Sequence, residues 1–141
     1  MIQLTERLET AFNLTEDLAS SLSGEELTMR LRDIPSNTID EQMWCIVGAR
    51  ESYLEAIIQN KWSGFSCSLT DVTSPSRVLE SLTASSVDCL SYLQKNELNS
   101  IQTDLLFSLL EHEVQHHGQL IRYVYGNRLS FPKSWKNRYN V

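Results

Sequence analysis

Long apolar runs are missing from this chain. No window approaches the roughly 20 apolar residues that cross a bilayer, so no membrane-spanning segment is expected. The start, Met1-Ile2-Gln3-Leu4-Thr5-Glu6, lacks a basic segment followed by an apolar core. No secretory signal is therefore expected, and the cytoplasm is the expected compartment. Cysteine is scarce. Cys45, Cys67 and Cys89 are odd in number, widely spaced and form no CxxC pattern, which argues against a disulfide framework. Each reads as a reduced thiol, more often a small buried apolar group than a ligand. Basic charge is in deficit, with 12 Lys and Arg against 18 Asp and Glu, a net −6. That balance disfavours nucleic-acid binding. Acids are absent after Glu113, whereas Arg122, Arg128, Lys133, Lys136 and Arg138 all lie beyond it. This asymmetry reads as a basic helix end that complements the macrodipole, followed by a solvated tail. Attraction of an anion or a thiolate substrate is the lesser alternative. Strand-like alternation and internal repeats are also missing.

What remains is an ordinary globular composition, 41% apolar and 21% charged over 141 residues. That length suits one domain, 1–141, with a real core. Helical periodicity dominates it. Residues 2–23 read as a first helix, with Leu4, Leu8, Ala11, Phe12, Leu18, Ala19 and Leu22 at threes and fours and Ser23-Gly24 as the stop. Residues 25–32 suggest a short helical turn closed by Pro35. Thr38-Ile39-Asp40-Glu41 is a capping-box pattern that opens a second helix to about Asn60, with Ile39, Met43, Ile46, Val47, Tyr53, Leu54, Ile57 and Ile58 inward. Residues 61–74 form an ordered loop carrying Trp62, Phe65 and Leu69. Ser74-Pro75 starts a third helix to about Lys95, whose middle, Thr83-Ala84-Ser85-Ser86, is its weakest stretch. A fourth helix runs from about Ile101 to Tyr125 and stops at Gly126-Asn127. The aromatic tail should pack back on the helices. These segments predict an all-α domain, most simply a four-helix bundle, with the long loop able to serve as a crossover.

All three histidines lie in the fourth helix. His112 and His116 are four apart, which puts both imidazoles on one helix face. Leu105, Leu109, Leu120 and Tyr123 share roughly that face, so the pair should point inward. Such a pair can supply half of a site for zinc, nickel, iron or copper. It can equally be two surface histidines, or one core histidine with a hydrogen-bonded neighbour. Further ligands would come from a facing helix, and the second helix offers Glu41 and Cys45 but no histidine.

The segment Gln42-Met43-Trp44-Cys45-Ile46-Val47-Gly48-Ala49-Arg50-Glu51-Ser52-Tyr53 resembles the second-helix motif of the DinB/YfiT-like superfamily, the damage-inducible four-helix-bundle proteins. His112-Glu113-Val114-Gln115-His116-His117-Gly118-Gln119 resembles that family's H-x-x-x-H-R-G-Q motif, and Pro132-Lys133-Ser134-Trp135 resembles its common ending. The likeness spans nearly the whole chain in order. It implies a divalent metal held by one histidine of helix two and two of helix four, with open positions. His112 and His116 match the helix-four pair, whereas the helix-two histidine falls on Cys45. His117 stands where arginine is usual and is not assigned as a ligand.

Two outcomes follow for Cys45. A thiolate can replace the imidazole and give a Cys45, His112, His116 site, suited to zinc above all, with nickel or iron as alternatives. Otherwise the site is lost and Cys45 is a small core residue. Glu41 is a capping residue first, and a fourth ligand or an acceptor for a histidine N–H second. Gln119 lines the pocket or is a surface amide. Relatives in this family imply metal-dependent thiol S-transfer or hydrolysis on a small molecule, with no separate general base evident because Glu113 points away from His112. The alternative is a non-catalytic, stress-related binding bundle with a degenerate site. A homodimer is expected, through exposed helix surface or Phe131 and Trp135. Direct DNA binding has no recognition-helix pattern behind it.

Overall fold

The computed structural model describes residues 1–141 and contains six helices: α1 (Ile2–Ser21), α2 (Gly24–Leu27), α3 (Ile39–Gln59), α4 (Pro75–Lys95), α5 (Ser100–Gly126) and α6 (Lys133–Tyr139). It has no β-strand. The one strand-like pairing is a single bridge between Arg30 and Thr38. The chain is thus all-α, and no helix is long and apolar enough to cross a membrane.

Local chemistry sets the helix ends. Thr38 Oγ1 accepts from the Glu41 amide while Glu41 Oε2 accepts from the Thr38 amide, a complete capping box for α3. Ser74 caps α4 with Pro75 in its first turn. A second box, Asn99 with Gln102, opens α5 and carries no Ser or Thr to advertise it. Ser23-Gly24 was expected to be the stop of a first helix over 2–23. Ser23 instead forms a capping box with Glu26 and begins α2, so α1 ends earlier, at Ser21. The expected turn over 25–32 contracts to four residues. The aromatic tail packs back on the helices as expected, and it does so as a seven-residue helix, α6, which was not expected.

Four long helices, α1, α3, α4 and α5, pack side by side, α3 lying on α5 and α4, and α1 on α4 and α5. Their core has two apolar clusters. One joins the C-terminal half of α1 (Leu14, Leu18) to the starts of α3 (Met43, Val47) and α4 (Val78, Leu82) and the end of α5 (Leu120, Val124). The other joins the start of α1 (Leu4, Leu8) to the far halves of α3 (Ile57) and α4 (Cys89, Leu93) and the front of α5 (Leu106, Leu109). It follows that α3 and α4 run parallel, and both are antiparallel to α1 and α5. Connecting parallel neighbours means retracing the ~30 Å length of α3. The stretch 60–74 does this by lying back along α3, with Ser66 on Ser52, Ser68 on Glu51 and Cys67 on the Trp44 carbonyl.

Between the two apolar clusters runs a layer of buried polar side chains: Thr15, Arg50, Ser85, Ser86, Glu113, His116 and His117. This layer explains why the Ser-rich middle of α4 stays helical. Small side chains there leave room for Arg50, whose Nη1 donates to the Leu82 carbonyl, and Ser85 Oγ donates to the same oxygen. Not every expected core position is filled as read. Leu106 takes the buried place expected of Leu105, and Ile58 is 49% exposed. Phe131 and Trp135 are buried, with Trp135 Nε1 donating to the Leu14 carbonyl at 2.6 Å. They are therefore not available as a dimer surface.

Candidate metal centre

The fold brings Cys45 from α3 against His112 and His116 from α5 in the same polar layer. Their ligand atoms lie within 4.8 Å of one another. Cys45 Sγ is 3.7 Å from His112 Nε2, and the two imidazole rings stand 4.6 Å apart, tilted by 60°. In a tetrahedral site with one sulfur and two nitrogens, bonded ligand atoms sit about 3.5 Å from one another. The cluster needs only a small contraction to reach that spacing.

The donor chemistry fits as well. His116 Nδ1 is hydrogen-bonded to Gln42 Oε1, which leaves Nε2 for the cluster. His112 Nδ1 is buried without a hydrogen-bond partner. Burial lowers the pKa of both histidines, that of His116 to about 4 with the neighbouring His112 adding to the effect, so both rings are neutral donors at pH 7. Burial raises the Cys45 thiol, and nothing offsets it. Its thiolate therefore requires a cation, which a metal would be.

Sequence reasoning named three further residues, and the structure sorts them. Glu41 is exposed and spends its carboxylate on the Thr38 cap, which lowers its pKa. It is neither a ligand nor the acceptor for a histidine, and Gln42 takes that second role. Gln119 is exposed, as a surface amide. His117 is no ligand, since Nε2 bonds Thr15 Oγ1 at 2.8 Å and Nδ1 bonds Tyr139 Oη at 2.6 Å.

Sequence reasoning missed what Glu113 does. It faces away from the thiol and histidine cluster, as expected, and meets Arg50 of α3. Arg50 Nη2 and Nε donate to its two oxygens at 2.6 and 3.2 Å. Thr15 Oγ1 donates to Oε1 at 2.5 Å. Burial alone would push Glu113 up, but the Arg50 charge and hydrogen bonds, aided by His117 and Thr15, hold it below the usual carboxylate range. Arg50 also lies 4.0 Å above the Phe12 ring and donates to the Phe12 carbonyl. A lone arginine among apolar residues on a helix read as inward was the available signal.

The larger clefts lie elsewhere. One of about 540 Å³ runs between α1, α5 and α6 past Arg7, Arg138 and Tyr139, and another of about 660 Å³ lies between the 68–71 segment and α4. Neither contains Cys45, His112 or His116. Cys45 and His112 are half-buried and reach the surface directly, so a ligand would approach the cluster without passing through a deep cavity. No known family model matches the chain, and no curated protein matches it.

Proposed function

We propose that this chain is a metal-binding four-helix bundle of the DinB/YfiT-like superfamily, with Cys45, His112 and His116 as the ligands. One observation carries the reading. Three side chains from two helices, 67 positions apart in sequence, converge with their donor atoms within 4.8 Å. The donor set S, N, N favours zinc over nickel or iron. Three protein ligands leave a tetrahedral ion one open position, the arrangement of catalytic rather than structural zinc.

A bound divalent ion would supply the positive charge that makes a thiol or water nucleophilic near pH 7. The chain's own part is to hold that charge between α3 and α5, in the polar layer of the helices, and to keep the imidazoles neutral. Glu113 is committed to Arg50 and is unavailable as a base. The reading is thus thiol S-transfer or hydrolysis on a small molecule. The homodimer proposal rests on exposed apolar residues of α5, Phe107 and Val114, two turns apart.

The test is a panel of thiol–electrophile pairs and esters assayed with zinc-loaded protein and with Cys45→Ala. Turnover lost in the variant supports the enzyme reading. Zinc binding without turnover on any substrate favours a binding bundle instead.

A further inference from the structure

We infer that Gln42 is a positioning residue for His116, the last link of a hydrogen-bond chain Tyr123–Asn37–Gln42–His116 that decides which imidazole nitrogen faces Cys45. The inference rests on the metal-site reading and adds a residue to it.

The argument is one of donors and acceptors. Tyr123 Oη donates to the Asn37 carbonyl at 2.9 Å and also contacts Asn37 Oδ1. Gln42 Nε2 donates to that same Oδ1 at 3.0 Å. A carboxamide has one donating end and one accepting end. With its nitrogen committed to Asn37, Gln42 can offer His116 only Oε1, and Oε1 is the atom that faces His116 Nδ1. Nδ1 must then carry the ring proton. In a neutral imidazole the lone pair is left on Nε2, the nitrogen free to join Cys45 and His112.

Burial makes the preference firm. Gln42, His116 and Tyr123 are 5%, 7% and 4% exposed, so water does not compete for the Gln42–His116 bond, and Asn37 is the chain's single exposed member. Reversing the polarity requires both amides to turn over together. His116 Nδ1 would then accept, Nε2 would carry the proton, and an N–H would point at the thiol and at His112. Such a ring offers no lone pair to an ion. The tautomer and the competence of the site are therefore one question. The position of Gln42 suits the task, because it lies three residues before Cys45 on α3 and faces the ligand stripe of α5.

Two readouts test this. The first is the ring tautomer of His116 in metal-free wild-type protein, from long-range proton–nitrogen correlation of ¹⁵N-histidine. The Nδ1–H form is expected, and the Nε2–H form overturns the inference. The second is zinc affinity by competition with a chromophoric chelator. Gln42→Met should bind zinc about 10–100-fold more weakly than wild type, while Gln42→Glu, which still accepts from Nδ1–H, should stay within about threefold. Thermal unfolding of the metal-free variants separates this effect from loss of the fold. Equal zinc affinity in Gln42→Met and wild type overturns the inference. If Gln42→Met does not fold, the wild-type tautomer and Gln42→Glu still decide it. A wild-type Nδ1–H tautomer in a protein that takes up no zinc would support the chain's polarity and overturn the metal reading.

Discussion

Arg50 and Glu113 form a two-pronged ion pair, 2.6 and 3.2 Å, with neither side chain exposed. The pair bridges α3 and α5 one to two turns from Cys45 and beside His112, so it sets the rotation of both ligand-bearing helices. Arg50→Ala would strand the Glu113 carboxylate in the core, at a cost of about 3–5 kcal/mol. Replacing both partners with apolar groups of similar size, Arg50→Met with Glu113→Leu, should cost much less. Urea unfolding of the single and double variants measures this. A loss under about 1 kcal/mol in Arg50→Ala would show that Glu113 finds other compensation.

Stability should fall as the medium is acidified. His116 and His117 are lowered by burial from 6.5 to about 4. Between those values the unfolded chain takes up protons that the folded chain refuses. Each histidine then removes on the order of 1 kcal/mol of stability per pH unit from about pH 6.5 down to about 4. The loss levels off below that range. Glu113, lowered in the fold, adds to it at the acid end. Denaturant midpoints at a series of pH values check the slope, and a flat profile from pH 7 to 4 contradicts the burial of neutral rings.

Metal uptake should release protons. The Cys45 thiol is raised and protonated at pH 7, whereas His112 and His116 are lowered and already neutral. Binding through all three residues therefore displaces about one proton per ion, and affinity should climb about tenfold per pH unit between about pH 6 and 8. Calorimetry in buffers of different ionisation enthalpy counts that proton. Zero release would remove Cys45 from the ligand set.

Gly48 holds the crossover loop against α3. A Cβ at this position would overlap Phe65 Cζ and stand 2.9 Å from Cys67 Cβ. In most helix interiors Gly→Ala stabilises by nearly 1 kcal/mol. Here Gly48→Ala should destabilise by about 1–3 kcal/mol, and Phe65→Ala should relieve much of the clash. Thermal unfolding of the two single variants and their combination tests it, and additive effects would contradict contact between the two positions.

The helices and the histidine pair were legible because their signals are local. Caps such as Thr38 and Ser74, and the four-residue spacing of His112 and His116, lie within a turn or two of sequence. The facing ligand had to come from across the fold. The second helix offered Glu41 and Cys45, and the resemblance singled out Cys45. The Gln42 bond to His116 was not readable at all, since it joins residues 74 apart through an amide with no periodic signature. Glu41 drew attention instead because its spacing from Cys45 is helical, yet the Thr38 cap claims it. The Arg50 and Glu113 pair was hidden in the same way. Each lies in its own amphipathic stretch, and only packing shows that they meet. α6 escaped because seven residues carry too little periodicity, and its hold comes from Trp135 inserted beneath α1.

The most direct test is metal content. The chain would be prepared without a histidine tag and analysed by elemental mass spectrometry beside Cys45→Ala and His112→Ala. About one metal ion per wild-type chain, lost in both variants, is the expected result for a three-ligand site with one vacancy. No metal in wild type after loading with zinc, nickel and iron would contradict the account and leave the cluster a degenerate site. Metal lost in His112→Ala yet retained in Cys45→Ala would remove the cysteine from the site.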